Sequence, residues 1–379
     1  MFQLATILRP HILTLTPYSS ARDEYTGKEG VFLDANENPL GSSTTGGDYN
    51  RYPDPYQAAI KERLAPIKGV RPDQIFLGNG SDEPIDLLVR ATCTPGHDSL
   101  LIMPPTYGMY EVSATINDVA VVKVPLTPDF ALDTDAVLAA LTPTDGRPVP
   151  KLVWLCSPNN PTGNLLNRDA IRTVLDAARQ SLVIVDEAYI DFADEPSWTA
   201  ELDRYPNLVV LQTFSKAWGL AALRLGMCFA SPELIRILNK IKPPYNISAP
   251  TQQLALDALS HEADKNDMVA RILAERSELA NKLRALPLVQ EIFPSDANFL
   301  LVKFEDPTAV FTYLISRQVI VRDRSRVKLC EGCLRITVGT PAENDQLLRE
   351  LRTMHEIPAG NLPLGSGDSA SKPELVSNA

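Results

Sequence analysis

The sequence lacks long hydrophobic runs and has no excess of basic residues. Its 379 residues carry a formal net charge of -11, so no basic surface for nucleic acid or for a membrane is expected. No apolar run approaches the length of about 18 residues that a membrane-spanning helix needs. No GxGxxG string follows a predicted strand and no Walker string occurs, which argues against nucleotide enzymes. An anionic small substrate would therefore have to be bound by local arginines.

Cysteine is also scarce. The five cysteines (93, 156, 228, 330 and 333) are an odd number and lie in strand-like or turn-like segments, which favours reduced thiols. Cys330 and Cys333 form a CxxC, but no second pair accompanies it, so a structural turn is predicted and no metal site. The apolar N-terminal stretch contains Arg9 and Pro10 and no clear cleavage site, so a cytoplasmic protein is expected.

The residues that are abundant predict a large globular protein. Apolar residues make up 44% and charged residues 22% of a chain long enough for two domains. Strands that are almost wholly apolar alternate with helices, which predicts an α/β fold whose sheet is covered on both faces. In such sheets, ligands bind beyond the carboxyl ends of the strands. Candidate site residues are therefore sought there.

A lysine follows the apolar run of residues 207–212. Lys216 lies between Ser215 and Trp218, where its long stem can be desolvated and the pKa of its ammonium group lowered. Covalent bonding to an aldehyde cofactor requires such an amine. A solvated lysine in a strand-to-helix loop is the alternative interpretation of this segment alone.

A glycine-rich turn precedes the helix predicted after the strand of residues 74–77. Gly80, Ser81 and Asp82 would expose backbone N–H groups at the positive end of the helix dipole, and Ser81 can cap the helix. A phosphate fits such a site, although the acidic side chains of Asp82 and Glu83 require a cation from elsewhere. A plain capped helix is the alternative.

Three further strand ends carry candidate side chains. Tyr107 follows two prolines after a buried strand, where a planar ring could stack. Asn160 lies in the rigid string SPNNPTG, and Asp186 ends a strand that should be central. Because parallel strands end at one edge of a sheet, we expect these residues to meet Gly80 and Lys216 there.

Pyridoxal phosphate needs this combination of groups. Lys216 would bond covalently to the aldehyde and move protons, Asp186 would pair with the ring nitrogen, and Tyr107 would stack on the ring. Asn160 and Tyr189 would bind the phenolic oxygen. The phosphate would be held by Gly80, Ser81, Asp82 (through its backbone N–H), Thr213, Ser215 and Arg224.

The strings SPNNPTG, DEAY, TFSKAWGLAALRLG and LRITVGTPAEN resemble the class I and II aminotransferases of fold type I. The strings LDANENP, RYPDP, GNGSDE, PPTYGMY and IVRDRS are similar, more narrowly, to the histidinol-phosphate aminotransferase branch. The resemblance implies a large domain with a mostly parallel seven-stranded sheet and a small α+β domain. The expected divisions are an arm (1–32), a large domain (33–247), a small domain (248–357) and a disordered tail (358–379). The arm should be irregular, with a short strand near residues 31–34.

The resemblance also implies an activity and an assembly. Transamination between L-histidinol phosphate and 2-oxoglutarate would give imidazole acetol phosphate and L-glutamate, in histidine biosynthesis. The enzyme would be a homodimer in which Tyr52 reaches the cofactor phosphate of the neighbouring subunit. The acidic end of the substrate would be bound by Tyr18, Arg322 and Arg335, and Asn160 would also contact the substrate. The alternatives are a threonine-phosphate decarboxylase or an aromatic amino-acid aminotransferase of the same fold.

Overall fold

The computed structural model describes residues 2–19, 30–44 and 47–356. Within these residues, a large α/β unit precedes a smaller lobe that contains a separate sheet. The tail of residues 358–379, for which disorder is predicted, lies outside the described residues.

A seven-stranded sheet forms the centre of the large unit. Its strands are β1 (Ile75–Asn79), β2 (Ser99–Ile102), β3 (Ala120–Lys123), β4 (Leu152–Cys156), β5 (Leu182–Asp186), β6 (Leu208–Thr213) and β7 (Leu225–Phe229). The order across the sheet is β1-β7-β6-β5-β4-β2-β3. All neighbours from β6 to β3 are parallel, and only β7 runs antiparallel to both of its neighbours. The predicted mostly parallel sheet is confirmed.

Alternate residues of each strand enter two separate hydrophobic cores because successive side chains point to opposite faces of a sheet. In β4, for example, Val153 and Leu155 enter one core, and Leu152 and Trp154 enter the other. Burial on both faces explains why these strands read as continuous apolar runs. The helices of the large unit that cover the faces are α1 (Leu4–Ile7), α2 (Pro10–Thr14), α3 (Ala58–Lys68), α4 (Asp82–Thr92), α5 (Met109–Ile116), α6 (Thr134–Leu141), α7 (Arg168–Ala177) and α8 (Pro232–Ile241).

The smaller lobe is built on a four-stranded antiparallel sheet in the order β10-β11-β9-β8. Its strands are β8 (Val289–Ile292), β9 (Phe299–Phe304), β10 (Arg322–Asp323) and β11 (Cys333–Thr337). The remaining helices are α9 (Ala249–Ser260), α10 (Glu262–Arg284), α11 (Pro307–Ser316) and α12 (Pro341–Glu356). Helices α10 to α12 bury their apolar faces against this sheet, whereas α9 packs on α3 of the large unit.

The N-terminal arm differs from the expectation of an irregular segment. Its first residues form α1 and α2, and Leu4 and Leu8 are buried in a core of the large unit. The Arg9 N–H donates to the Ala91 carbonyl oxygen at 2.9 Å, which anchors the arm at the end of α4. The strand predicted near residues 31–34 is wrong: this segment has no ladder partner, and the side chains of Val31 and Leu33 are exposed.

Two smaller features complete the fold. The Cys333 N–H donates to the Cys330 carbonyl oxygen at 3.0 Å, so the predicted CxxC turn is confirmed, and both thiols are free and buried. None of the helices formed by the described residues combines the length and the hydrophobicity that crossing a bilayer demands.

Candidate active site

Lys216 follows the carboxyl end of β6, and its side chain is still exposed in this single chain. Its Nζ atom is 5.5 Å from the centroid of the Tyr189 ring. Desolvation by the surrounding protein atoms, followed by the nearby charge of Arg335, lowers the pKa of the ammonium group, and the carboxylate of Asp186 opposes this shift. The amine is therefore more easily neutral, and more nucleophilic, than that of a solvated lysine.

Asp186 ends the central strand β5 and is buried. Burial raises the pKa of its carboxyl group to about 6, while hydrogen bonds from the Tyr110 hydroxyl and the Ala188 N–H oppose the rise. The charge of Lys216 also acts on this carboxyl group, so both residues face one site. A buried carboxylate of this kind is stabilised by a cationic partner.

Tyr110 was not singled out from the sequence, although it contacts Asp186 directly. Its ring stacks on Trp154 at a centroid distance of 4.7 Å, and its hydroxyl donates to Asp186 Oδ2 at 2.6 Å. Tyr107 lies edge-on to Tyr110 at 5.6 Å and donates to Asp82 Oδ1 at 3.1 Å. The three-residue spacing of the two tyrosines at the start of α5 could have indicated that they share a face.

The turn before α4 has the close backbone approach that a phosphate site requires. Gly80 has φ +72°, and a Cβ atom there would lie 2.7 Å from Arg224 Nη2. A Cβ at Gly226 would lie 2.3 Å from the Ser81 nitrogen, so only glycine lets β7 approach this turn. The first N–H groups of α4 lack intrahelical partners and point out of the helix end.

The prediction that the Ser81 side chain caps α4 is wrong. Ser81 has φ -69° and ψ -15°, which is helical, whereas a capping residue is usually extended. Its hydroxyl makes no capping hydrogen bond and is available to a ligand. The hydroxyl of Thr213 donates to the Leu225 carbonyl oxygen at 3.4 Å and accepts from the Ser215 N–H at 3.0 Å. Thr213 therefore has fewer free sites for a phosphate than Ser81.

Arg224 supplies the cation that this turn needs. It adopts a left-handed conformation (φ 51°, ψ 51°), which is uncommon for a residue with a side chain. The conformation brings its Nη2 atom to 3.4 Å from Asp82 Oδ2, beside Gly80. The N-terminus of α4, the free hydroxyl of Ser81 and the guanidinium group of Arg224 thus surround one place where a phosphate could bind. This arrangement is called the phosphate cup below.

The small lobe reaches the site through Arg335. Its Nη1 atom donates a short hydrogen bond to Asn160 Oδ1, and its guanidinium lies 5.2 Å from the Phe299 ring. Tyr189 is buried and packs edge-on against Phe299 at 5.2 Å. Burial raises the pKa of the Tyr189 hydroxyl, and the charges of Arg335 and Arg324 oppose this.

Arg322 lies directly opposite Arg335 in the ladder of β10 and β11, at the edge of the same site. Arg324, two residues further on, was quoted in the string IVRDRS but was not singled out from the sequence. The two-residue period of a strand places Arg324 on the same face as Arg322, and this signal could have identified it.

Two predicted residues do not reach this group within one chain. Tyr52 is half-exposed and stacks on Tyr245 at a centroid distance of 4.4 Å. Tyr18 is exposed and lines a groove with Arg90 and Lys240. Because Arg90 lies near the far end of the 11-residue α4, this groove is about 15 Å from the phosphate cup.

These residues fit pyridoxal phosphate on several independent counts. Lys216 offers a readily neutral amine, and the buried Asp186 suits a protonated ring nitrogen. The turn at Gly80 and the guanidinium of Arg224 form a cup that a Cβ atom would fill. Tyr189 lies close to Lys216, and Asn160 is bonded to Arg335 beside them, so both could offer hydrogen bonds to an oxygen of a bound ring.

Comparisons with known proteins agree with this geometry. The family of class I and II aminotransferases matches residues 27–351. The histidinol-phosphate aminotransferase of Cytophaga hutchinsonii is 57% identical over 352 residues, which cover 93% of this chain and 99% of that protein. The histidinol-phosphate aminotransferase of Sinorhizobium meliloti, solved in complex with pyridoxal-5'-phosphate, superposes with a TM-score of 0.74 at 25% identity, covering 84% of this chain and 90% of that one. The L-threonine-O-3-phosphate decarboxylase of Porphyromonas gingivalis superposes with a TM-score of 0.65 at 25% identity, covering 80% and 92%.

Proposed function

Because the chain belongs to the class I and II aminotransferases, we propose that it transfers the amino group of L-glutamate to imidazole acetol phosphate, giving L-histidinol phosphate and 2-oxoglutarate. The reaction is reversible and serves histidine biosynthesis. Relatives 42–57% identical over nearly the whole chain are histidinol-phosphate aminotransferases. The observation that carries the proposal is that Lys216 and Asp186 face one site into which Arg335 projects from the small lobe.

The cofactor is pyridoxal 5'-phosphate, which supplies an electron sink that makes the proton on the amine-bearing carbon of the substrate removable. Lys216 would hold the cofactor through a covalent bond to Nζ, and its amine would be the group that carries the proton of the substrate. The lowered pKa of Lys216 makes the neutral amine that this task requires easier to form than in a solvated lysine.

Asp186 and the phosphate cup hold the cofactor in place. The carboxylate of Asp186 keeps the ring nitrogen protonated, and the Tyr110 hydroxyl helps to keep Asp186 ionised. Tyr107 stacks on the ring, and Asn160 and Tyr189 bind its phenolic oxygen. The phosphate is bound by Gly80, Ser81, Asp82 (through its backbone N–H), Thr213, Ser215 and Arg224.

Arg322 and Arg335 bind the anionic end of either substrate. Both guanidinium groups lie on one side of the β10–β11 ribbon, and Arg335 is oriented by its hydrogen bond to Asn160. The same arginines must bind the phosphate ester of histidinol phosphate and a carboxylate of glutamate in alternate half-reactions.

The working unit is a homodimer. Tyr52 is half-exposed on a segment whose apolar side chains Val31, Leu33 and Leu40 are also exposed, which a second subunit would cover. We propose that Tyr52 contacts the cofactor phosphate of the partner subunit, and that Tyr18 reaches the partner's substrate pocket. The proposal also includes domain boundaries at residues 33, 248 and 358. It includes a cytoplasmic location, which the free thiols favour.

The decisive experiment is a panel of single half-reactions. Loss of the absorbance of the bound aldehyde is followed with histidinol phosphate, glutamate, phenylalanine, tyrosine and threonine phosphate. Histidinol phosphate and glutamate should react fastest, without release of carbon dioxide. Carbon dioxide from threonine phosphate would indicate the decarboxylase, which also binds a phosphate ester, and faster reaction with phenylalanine would indicate an aromatic aminotransferase.

A further inference from the structure

Three arginines of the small lobe lie side by side. Arg322 and Arg335 are directly opposite each other in the β10–β11 ladder. Arg324 continues the same ribbon, because its N–H donates to the Cys333 carbonyl oxygen at 3.0 Å. Residues two apart along a strand and residues paired across it share a face. The three guanidinium groups are therefore grouped on the side of the ribbon that faces the site.

No carboxylate balances this group within the described residues. Arg335 bonds to the neutral amide of Asn160, and neither Arg322 nor Arg324 makes a side-chain hydrogen bond or an ion pair there. The neighbouring Asp323 carboxylate accepts from the Ser325 N–H at 2.8 Å. Arginines at most protein surfaces find an acidic partner or full hydration, so three adjacent ones without a carboxylate partner, of which Arg324 and Arg335 are partly buried, indicate an anion site.

The environment of Arg324 is that of a site residue. It is only partly exposed, and its charge acts on the Tyr189 hydroxyl, which also lies close to Lys216. Burial and the charges of Arg335 and Arg322 lower the pKa of Arg324 to about 10, only weakly opposed by Cys330 and Asp323. The repulsion among the arginines would be relieved by an anion with more than one negative charge.

We propose that Arg324 is a specificity-determining residue that binds the phosphate ester of the substrate together with Arg322 and Arg335, and contributes little to the binding of glutamate. This rests on the proposed function. A phosphate monoester carries a charge of about -1.5 to -2 at neutral pH and three strong acceptor oxygens. A carboxylate has one charge and only two oxygens, which Arg322 and Arg335 can satisfy between them. Only the phosphate leaves acceptors for a third guanidinium group.

The first test compares substrates in the holoenzyme. Arg324→Gln should raise KM for histidinol phosphate about tenfold or more with little change in kcat, and should leave KM for glutamate within about twofold, since a uniform binding contact is lost. Arg324→Lys keeps the charge without the fork and should fall in between. Arg326→Gln removes an equal charge from an exposed position two residues along and should match the wild type. Equal losses for both substrates, or an equal loss in Arg326→Gln, would overturn the proposal.

The second test measures anion binding without turnover. Methyl phosphate is titrated into the holoenzyme and into the three variants by calorimetry, with acetate as the comparison anion and thermal unfolding as the folding control. Arg324→Gln should weaken methyl phosphate binding about tenfold and acetate binding much less. If the wild type fails to turn over histidinol phosphate, the proposed function fails, whereas this selective loss would still support the role of Arg324. Unchanged methyl phosphate binding in Arg324→Gln would contradict that role.

Discussion

The hydroxyl of Tyr110 donates a 2.6 Å hydrogen bond to Oδ2 of the buried Asp186. The bond opposes the effect of burial, which raises the pKa of this carboxyl group to about 6. Because pairing with a protonated ring nitrogen requires the ionised carboxylate, Tyr110 acts on the cofactor through Asp186 and is a positioning residue.

Replacement of Tyr110 by phenylalanine should therefore weaken cofactor binding in a pH-dependent way. Without the donor, the pKa of Asp186 rises further, so more of the carboxyl group is protonated at pH 6 than at pH 8. Loss of a hydrogen bond to a charged group costs about 1.5–3 kcal/mol, or about tenfold to a hundredfold in the Kd of pyridoxal phosphate. Fluorescence titration of the apoenzyme with pyridoxal phosphate should show a larger loss of affinity at pH 6 than at pH 8.

Tyr107→Phe is the matched control for that experiment. It also removes one tyrosine hydroxyl from the site, but this hydroxyl donates to Asp82 and not to Asp186. Its effect on cofactor affinity should be nearly the same at pH 6 and pH 8. An equal loss at both pH values in Tyr110→Phe would contradict the assigned role.

Glu187 gives a prediction about stability. It is buried, and it accepts from the Trp198 N–H at 2.8 Å and from Gln212 Nε2 at 2.9 Å, while Gln212 Oε1 has no hydrogen-bond partner in the part of the chain that the structure describes. Burial raises the pKa of Glu187 from 4.5 to about 7. The folded state thus binds more protons than the unfolded state between these pH values, so the contribution of Glu187 is fully present below pH 4.5 and is lost as pH rises through about 7.

The Glu187→Gln variant should lack this loss. Its amide stays neutral and can donate to Gln212 Oε1, as a protonated carboxyl group could. When the pH is raised from 5 to 8, the difference in unfolding free energy between the variant and the wild type should change in favour of the variant by on the order of 2 kcal/mol. Urea unfolding of the apoenzyme measures this. Glu195→Gln, at an exposed position of the same loop, should show the same dependence of the unfolding free energy on pH as the wild type. If the carboxyl group of Glu187 were ionised over this whole pH range, Glu187→Gln would also show the wild-type dependence, which would contradict the prediction.

A substitution at Arg224 tests how much the phosphate cup contributes to cofactor affinity. Arg224→Asn removes the guanidinium group but tolerates the left-handed backbone. The Kd of pyridoxal phosphate should rise about tenfold to a hundredfold, the cost of one charge-assisted hydrogen bond. The affinity for pyridoxal, which has no phosphate, should change little. Equal losses for the two compounds would place Arg224 outside the cup.

Local patterns in the sequence predicted that Asp186 and Lys216 lie near each other, and in the structure their charges do interact. Asp186 and Lys216 could be predicted because the apolar strands before them are unambiguous, and parallel strands end at one edge. The link between Asp82 and Arg224 spans 142 residues and depends on β7, an antiparallel strand whose pairing no local pattern reveals. For Ser81 the sequence supported two interpretations, a helix cap and a phosphate ligand, and only the structure shows that its hydroxyl makes no capping hydrogen bond.

The proposed homodimer makes a prediction about Tyr52, whose proposed contact with the cofactor phosphate would cross from one subunit to the other. Neither Tyr52→Ala nor Lys216→Ala should be fully active, since the first would lose this proposed contact and the second would lose the covalent amine. If Tyr52 acts across the interface, a mixed dimer of the two variants has one site with both Lys216 and Tyr52. Refolding an equal mixture should then restore roughly a quarter of wild-type activity, as half of the dimers are mixed and each has one intact site. If Tyr52 served the site of its own subunit, the mixed dimer would have no intact site, and the mixture would be no more active than the average of the two variants refolded separately.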